Sequence, residues 1–526
     1  MLSGELPLSL VEGAEEGEGA GVPLVQLAHA VHVSALTLRT SGRLALLICE
    51  GGWGKLDAAA LAQEIPAALY DQLKTQILAR DRQVVVLEWQ RHPTAQLDIM
   101  RNHQAGCGLY VVVRKDRVYI HWDPVALYDC LDGPVRLDHD QCLAFLSCSW
   151  NYDNATVFRD IQCLPQRAHL RLTPQDVQWL RPSAVAVGSS VELRVGADPV
   201  ATLCQMVQAD IADYRSVRGG RLACELSSGL DSALVATLAA QQLAPGQMVT
   251  CGYIPLGADR AVIAARRAEA VARLQAQDYG QPIEQTFPAL NEISRQSARR
   301  YWPYEAPSLF EKEATARRLA ALGVNIVLSG IGGDELCLLT REEKQAVSTS
   351  TQPGPVRGQD ADFSGLLPAR LQRRAATLDI PAWPAGLVPQ SAHDVAASLS
   401  FAWLRAGIWY AHPLSHASLQ SFAHFLPVQW RRDRALSRAA LRRFSYSEAY
   451  LAQSPKESLS ESLDVNLRRY PDLPGYFANS HLLAEGLIDL PQVERACGLL
   501  AQGAGERAGL FLTLALALER SLRSIS

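Results

Sequence analysis

The stretch CELSSGLDSALVATLAA, Cys224–Ala240, places small, turn-forming residues between an apolar strand pattern and an alanine-rich helix pattern. Small residues let the backbone curl so that several N–H groups point into one concavity, where the positive end of the following helix favours an anion. The hydroxyls of Ser227, Ser228 and Ser232 would add donors. Asp231 would repel a bare phosphate, so it indicates either a divalent cation at the same place or an ordinary helix cap. No lysine follows the glycine, so the stretch is not a Walker A loop.

A second stretch, NIVLSGIGGDELCLL, Asn325–Leu339, is again a strand pattern that ends in glycines and acids. Parallel α/β sheets bind ligands at the carboxyl ends of their strands. Two such ends, with Asp231 on one and Asp334 on the other, could hold a nucleotide polyphosphate and Mg²⁺ between them. Mg²⁺ prefers one or two carboxylates together with phosphate oxygens to a cage made of protein alone. The two stretches together therefore favour a nucleotide site over two capped turns.

The residues around these stretches alternate strand and helix patterns, which predicts a parallel sheet covered on both faces. The predicted strands are residues 221–226, 248–254, 282–287 and 324–330, and the predicted helices are residues 232–243, 260–275 and 308–322. Up to about residue 182 the chain shows short strand patterns between turns. After residue 391 helix patterns dominate, and the last of them predicts a buried C-terminal helix. Residues 341–389 show little periodicity and indicate a mobile loop that could form a lid.

The bulk composition sets wider limits. The 526 residues, 48% of them hydrophobic, suffice for two domains, which we place at residues 1–190 and 191–526. A net charge of −4 argues against nucleic acid or an anionic membrane as a partner. The 11 cysteines form no CxxC pair and lie mostly in apolar surroundings, so we expect free thiols, no structural zinc and a cytoplasmic protein. The first residues lack the basic start and apolar run of a signal peptide.

The two stretches also resemble known motifs. SSGLDS resembles the S-G-G-x-D-S pyrophosphate loop of ATP pyrophosphatases, and LSGIGGDEL resembles the L-S-G-x-G-x-D-E-L signature of the asparagine synthetase family. The segment LDIMRNHQAGCGLYVVVRKD is similar to the core of that family's glutaminase domain. The resemblance implies a degenerate Ntn-type glutaminase-like αββα N-terminal domain. The domain that follows would be a parallel α/β domain of the adenine-nucleotide α-hydrolase-like (ATP pyrophosphatase) type. It would end in a helical C-terminal part.

The resemblance also implies a set of site residues and the ligands ATP and Mg²⁺. Asp231 and Asp334 would bind the metal. The residues implied for ATP and pyrophosphate binding are Leu226, Ser227, Ser228, Gly229, Asp231, Ser232, Ser329 and Gly330.

Two positions depart from the family. A working glutaminase domain needs a cysteine as the first residue of the mature chain, but Leu2 stands there, and the first cysteine is Cys49 in an apolar run. We therefore expect this domain to release no ammonia from glutamine. Ile331 lies between two signature glycines, where asparagine synthetases carry an acid and β-lactam synthetases a tyrosine. Without a base there, the chemistry favours a nucleophile that needs little help, such as a free amine.

This combination resembles the lasso-peptide macrolactam synthetases. The resemblance implies that an Asp or Glu side chain of a precursor peptide is adenylated and that the peptide's α-amine closes the ring, with release of AMP and pyrophosphate. The implied partners are the precursor peptide and a leader peptidase of the same pathway. Two alternatives stay open: an ammonia-dependent asparagine synthetase-like or β-lactam-forming ligase, and a non-catalytic member that binds only nucleotide or peptide.

Two further residues are candidates for the chemistry. Lys456 is the only lysine after Lys344, in a chain with six lysines among 50 basic residues, and the family places a lysine in this region. It could neutralise pyrophosphate and the adenylate oxyanion, or it could be a solvated surface residue. Glu305 could orient an amine in the same cleft, or it could pair with a nearby arginine.

Overall fold

The structure, a computed structural model, describes most of the chain. The described residues are 2–7, 24–27, 32–51, 63–90, 95–114, 117–149, 152–185, 190–216, 221–256, 259–283, 299–306, 308–340, 343–344, 366–452, 460–470, 472–503 and 506–525.

Two antiparallel sheets make up the N-terminal part. One has the strand order Leu24–Leu27, Leu2–Pro7, Arg117–His121, Tyr110–Val113 and Gln162–Cys163. The other has the order Val177–Leu180, His169–Leu172, Gln96–Arg101, Val84–Gln90, Arg43–Glu50 and Val33–Arg39. The predicted strand-rich character of this part is confirmed, whereas the Ntn-type identity of the two sheets stays a prediction.

Side chains alternate across the six-stranded sheet, as the two-residue period of a strand requires. Val84 and Val86 pack with Tyr70 and Ile77 of the helix Ala67–Leu78, whereas Val85 belongs to the main core. The strand Val84–Gln90 is therefore buried on both faces. This explains why its sequence is a nearly continuous apolar run.

A five-stranded parallel sheet forms the centre of the C-terminal part. Its strand order is Gln277–Pro282, Val249–Ile254, Arg221–Glu225, Val324–Leu328 and Trp409–Ala411, and every neighbouring pair is parallel. The first strand in the chain, Arg221–Glu225, lies at the middle of the sheet, and successive strands add first on one side and then on the other. The strand order reverses between Arg221–Glu225 and Val324–Leu328, where open α/β sheets bind ligands.

Helices cover this sheet and form the rest of the chain. The longer ones are Pro199–Ser216, Leu230–Ala240, Arg260–Leu274, Leu309–Ala321, Ala369–Ala376, Gln390–Arg405, Ala417–Phe425, Ala435–Arg443, Ser460–Arg469, Leu490–Ala501 and Glu506–Ile525. Shorter helices are His139–Leu146, Val428–Arg431, Glu448–Leu451, Leu473–Phe477 and His481–Ala484, and 3-10 turns span Pro124–Cys130, Glu335–Cys337, Pro413–Ser415 and Arg432–Arg434. The predicted C-terminal helix is confirmed, with Phe511 and Leu518 fully buried. Among the described helices, none is both apolar and long enough to span a bilayer.

Two strands of the C-terminal part were not indicated by the sequence. One is Gln277–Pro282, a half-exposed edge strand that does not need an apolar sequence, whereas most of the strand predicted at residues 282–287 lies outside the described residues. The fifth strand, Trp409–Ala411, lies in a stretch predicted to be mainly helical. Its three residues are too few to produce a two-residue pattern, and only pairing with Ile326–Leu328 makes them a strand.

The predicted loop at residues 341–389 is also wrong in part. Residues 366–389 contain the helix Ala369–Ala376 and the buried side chains of Leu367 and Trp383. The indole Nε1 of Trp383 donates to Gln166 O at 2.6 Å, which fixes this segment to the N-terminal part. Isolated apolar anchors of this kind leave no periodic signal. Residues 345–365 and the Gly/Glu-rich residues 13–21 lie outside the described residues.

The two parts of the chain share one hydrophobic core and several polar contacts. The Arg405 guanidinium donates to both oxygens of Asp123, at 2.7 and 2.9 Å, and Trp409 Nε1 donates to Glu50 Oε1 at 2.6 Å. The predicted boundary at residues 190/191 falls between the last antiparallel strand, Val177–Leu180, and the helix Pro199–Ser216. The N-terminal part therefore packs directly against the edge strand Trp409–Ala411 and the helix Gln390–Arg405 that precedes it.

Candidate active site

The first loop, residues 226–232, follows the central strand and is held by its own hydroxyls. Ser227 N donates to Ser232 Oγ at 3.1 Å, and Gly229 N donates to Ser227 Oγ at 2.9 Å. Leu226 N donates to Cys251 O of the neighbouring strand at 2.8 Å. Two of the N–H groups that the sequence predicted to face an anion thus already have acceptors within the loop.

The helix Leu230–Ala240 directs its amino-terminal end at this loop. Residues 230–239 of the helix are all buried, so the helix is packed on every side and its first turn is fixed. Ser228, also buried, accepts a hydrogen bond at its carbonyl from Arg266 Nε at 3.3 Å. The Arg266 guanidinium lies 4.6 Å from the ring centroid of Tyr450. This arginine therefore connects the first loop with the short helix Glu448–Leu451.

The second loop, residues 329–334, touches the first one backbone to backbone. A Cβ on Gly330 would lie 2.7 Å from Ser232 N, and a Cβ on Gly333 would lie 2.2 Å from Asp231 Cγ. Contacts of this length do not occur for real Cβ atoms. The glycines of the second motif are therefore required because the two loops are in contact, which the sequence could not show.

Ser329, the first residue of the second loop, binds the edge strand of the sheet. Its N–H donates to Ala411 O at 3.0 Å, and its Oγ lies 2.8 Å from His412 Nδ1. Burial lowers the pKa of His412 to about 3, so the imidazole is neutral. Ser329 and Gly330 thus lie beside the first loop, where the sequence predicted them.

The two acids predicted to bind metal share one cation from the protein. Arg434 Nη1 donates to Asp231 Oδ2 at 2.7 Å, and Arg434 Nη2 donates to Asp334 Oδ1. Ser437 Oγ adds a contact to Asp231 Oδ1 at 3.4 Å. Burial raises the pKa of Asp231, although the positive charge of Arg434 opposes this. The structure therefore brings Asp231 and Asp334 together, as the sequence predicted, around a guanidinium.

The backbone at this arginine is strained. Asp433 has φ 53° and ψ 26°, and Arg434 has φ 56° and ψ 36°, so two consecutive residues with side chains are left-handed. Each such residue costs about 1–2 kcal/mol. The strain places the Arg434 guanidinium between the two acids at the start of the helix Ala435–Arg443, and strain of this kind is concentrated at functional sites.

A buried ion pair lies beneath the first loop. Glu225, the last residue of the central strand, accepts hydrogen bonds from Lys312 Nζ and Tyr410 OH. Burial alone would raise the pKa of Glu225, but the charge and the hydrogen bond of Lys312 outweigh it and lower the pKa. Only about 7% of the Lys312 side chain is exposed. The ionised pair fixes the end of the strand from which the first loop leaves.

Glu305 lies in a different place from the two loops. Its Oε1 accepts a hydrogen bond from Arg405 Nη2 at 2.7 Å, so the structure shows the pairing with an arginine that was one of the two expectations. Burial raises the pKa of Glu305, and Arg405 opposes this shift. The residue also lines a cavity at the side of the helix Gln390–Arg405. Lys456 lies outside the described residues, and its role stays a prediction.

Sequence reasoning missed Arg434 and Lys312. Arginine is so common in this chain that its residue type alone does not single out any one position. Lys312 is one of six lysines, and its position in a helix between two glutamates was the available signal.

The donor set fits Mg²⁺ carried by a polyphosphate. The described residues contain no cluster of three or more histidines, cysteines or acids that could bind a metal by itself. Two carboxylates at the junction of two loops, Asp231 and Asp334, are what Mg²⁺ uses when phosphate oxygens complete its shell.

Comparison with known proteins gives one family for this part of the chain. Residues 209–446 match the family model described as asparagine synthase, and this range contains the parallel sheet, both loops and Arg434. Members of that family are ATP-dependent ligases that form amides. A comparison with curated proteins finds no match.

Replacing Gly333 with alanine should push the two loops apart, because the new Cβ would lie 2.2 Å from Asp231 Cγ. We expect Gly333→Ala to lower the free energy of unfolding by about 1–3 kcal/mol, as overpacking does. Gly498→Ala is the matched control, because a Cβ on Gly498 in the helix Leu490–Ala501 has nothing within 4 Å. It should stabilise the helix by up to about 1 kcal/mol. Urea denaturation measures both, and equal effects of the two variants would contradict the loop contact.

Removing the guanidinium should leave Asp231 buried without its counter-charge. We expect Arg434→Met to lower the free energy of unfolding by about 1–3 kcal/mol near neutral pH. A second change, Asp231→Asn, should restore most of the loss, which a double-mutant cycle measures as coupling. Arg442→Met is the control, since Arg442 pairs with Glu448 on the exposed side of the same helix and should change stability by no more than about 1 kcal/mol. Additive effects of the two site changes would show that the pair does not interact.

Proposed function

We propose, from the premise that residues 209–446 form an asparagine synthase domain, that the protein is an ATP- and Mg²⁺-dependent lasso-peptide cyclase. In this proposal the carboxylate of an Asp or Glu side chain in a precursor peptide attacks the α-phosphorus of ATP, and pyrophosphate leaves. The neutral α-amine of the same peptide then attacks the acyl carbon. AMP leaves, the nitrogen loses a proton, and the new amide closes a macrolactam ring.

The observation that carries the ligase part of this proposal is the contact of the two loops at the reversal of strand order. Asp231 and Asp334, which face each other across Arg434, would hold Mg²⁺. When bound, the metal would neutralise charge on the phosphates and orient them. Arg434 and the first loop would bind the pyrophosphate oxygens, and the strained backbone at residues 433–434 would hold the guanidinium in place for them. We propose that Lys456 neutralises the leaving group together with Arg434.

Ile331 supports an amine as the nucleophile. Its side chain packs against Ala105, Val388, Ala392 and Ala417, so this position of the second loop belongs to an apolar cluster and carries no base. A β-lactam-forming ligase needs help to deprotonate a poor amide nucleophile, and this apolar position offers none. The presence of both Asp231 and Asp334 argues against the alternative of a non-catalytic protein that only binds nucleotide.

Cys49 supports a peptide amine over ammonia from glutamine. It is fully buried, and its Sγ lies 3.2 Å from Glu50 O. Burial raises the pKa of Cys49 to about 11, so the thiolate that a glutaminase needs is scarce near neutral pH. The first cysteine of the sequence is therefore a core residue of the six-stranded sheet, and ammonia would have to come from solution.

The identity of the nucleotide product tests the ligase chemistry. We expect the protein with Mg²⁺, ATP and a cognate precursor peptide to form AMP and pyrophosphate, because the first loop is a pyrophosphate loop and not a Walker A loop. Chromatography of the nucleotides together with mass spectrometry of the peptide, which should lose one water, measures both products. Formation of ADP would overturn the acyl-adenylate route, and formation of AMP without the loss of water would overturn the cyclase assignment.

Glutamine should have no effect on the reaction. With Cys49 buried and Leu2 at the position of the family's nucleophile, we expect glutamate release from glutamine to stay at the buffer background. A coupled glutamate dehydrogenase assay measures it, with free ammonium as the control substrate. Hydrolysis that depends on the protein would restore the glutamine-dependent asparagine synthetase alternative.

A further inference from the structure

A large cavity lies between the antiparallel sheets and the helices of the C-terminal part. Its volume is about 400 Å³, within the size range of small-molecule sites, about 300–1,000 Å³. Most of its wall is apolar, and aromatic rings from both parts of the chain line it: Tyr110, Phe145, Tyr152, Trp302, Tyr304 and Phe310. Such a wall suits the side chains of an apolar peptide segment.

Three carboxyl groups line this cavity, and two of them are already paired. Asp153 Oδ1 accepts from Arg181 Nη2 at 2.9 Å, and Glu305 Oε1 accepts from Arg405 Nη2 at 2.7 Å. Asp394 is the third, and it has no hydrogen bond or ion pair within the part of the chain that the structure describes. Asp394 is half-buried, and an acid in a mostly apolar wall favours a ligand that supplies a cation or a donor.

The charge state of Asp394 supports a ligand that brings a cation or a donor. Burial raises the pKa of Asp394 to about 7, and no neighbouring cation lowers it. An α-ammonium group has a pKa of about 7.7–8.0. The two groups are therefore within about one pH unit of each other, so a proton can pass between them at little cost.

The helix Gln390–Arg405 connects this cavity with the second loop. Ser391, in its first turn, donates from Oγ to Glu335 Oε1 at 2.5 Å, directly after the acid Asp334. Asp394 follows Ser391 by one helical turn, which is about 5 Å along the axis. The helix that carries Asp394 thus contacts the segment that follows Asp334, one of the two acids proposed to bind the metal.

We propose that this cavity receives the amino-terminal segment of the peptide substrate, with its α-ammonium bound by the Asp394 carboxylate and its apolar side chains against the aromatic wall. This inference rests on the proposed function, because it gives the nucleophile of that reaction a binding site. The ammonium transfers one proton to the carboxylate, which becomes a carboxylic acid, and the neutral amine that remains is the nucleophile. Asp394 thereby yields the neutral form of the amine.

Binding of a small peptide amine to the full chain tests this site without ATP. The probe is L-phenylalanyl-glycinamide, and its N-acetyl derivative is the uncharged control; isothermal titration calorimetry measures both. We expect the acetylated form to bind at least about tenfold more weakly, since one lost charge contact of 1.4 kcal/mol gives that factor. Equal affinity of the two probes, or no binding of the free amine, would overturn the proposal.

Asp394→Asn keeps the shape of the side chain and removes its charge. We expect it to reduce affinity for the free amine by at least about tenfold while binding of the acetylated probe is unchanged. Asp379→Asn is the control, because Asp379 is an exposed acid between the helices Ala369–Ala376 and Gln390–Arg405. The Asn variant should unfold at the same or a higher urea concentration than the wild type, since it buries no charge. Unchanged affinity for the free amine in a folded Asn variant would overturn the role of Asp394.

The pH dependence separates Asp394 from its neighbours. Affinity of the wild type for the free amine should rise from about pH 6 as the carboxyl, with its pKa of about 7, ionises, and should fall again above about pH 8 as the ammonium loses its proton; the rise should be absent in Asp394→Asn. The other charged or titratable groups that face the cavity are Asp153, Cys163, Glu305, Arg520 and the tyrosines. A rise that persisted in the Asn variant would assign the effect to one of them and overturn the proposal. If ADP were the nucleotide product, the ligase proposal would fail while these binding results still decided whether the cavity binds an amine.

Discussion

The contact between the two loops is the constraint on which the rest of the site depends. Gly330 and Gly333 lie so close to the backbone and side chain of residues 231–232 that any larger residue would separate the loops. That approach is possible because the strands Arg221–Glu225 and Val324–Leu328 are adjacent and parallel, so their carboxyl ends meet at one edge. The position of Asp231 opposite Asp334 follows from this single contact.

Charges around the loops are compensated from within the protein. Glu225 pairs with Lys312, and Asp231 and Asp334 share the single positive charge of Arg434. Asp231 is buried, so an uncompensated charge there would be costly. In the proposed enzyme, Mg²⁺ held by the two acids would supply further positive charge, and Arg434 would bind phosphate oxygens.

The N-terminal part packs against the parallel sheet and lines the cavity. Cys49 is a buried core thiol, and Glu50 beside it accepts from Trp409 on the edge strand of the parallel sheet. Tyr110 and Tyr152 of the same part line the cavity that Asp394 also lines. In the proposed enzyme the N-terminal part would thus form part of the peptide site.

The sequence by itself determined the α/β alternation, the two loops and the pair Asp231 and Asp334, because hydrophobic period and turn residues are local properties. It did not indicate the edge strands Gln277–Pro282 and Trp409–Ala411, because edge position and strand pairing are not local. Only the tertiary structure decided that Arg434 lies between the two acids from about 200 residues and 100 residues away in the chain. It also decided that Glu305 pairs with Arg405, whereas Asp394 has no partner among the described residues. Contacts between distant segments depend on how helices pack on the sheet, and no spacing along the chain encodes that.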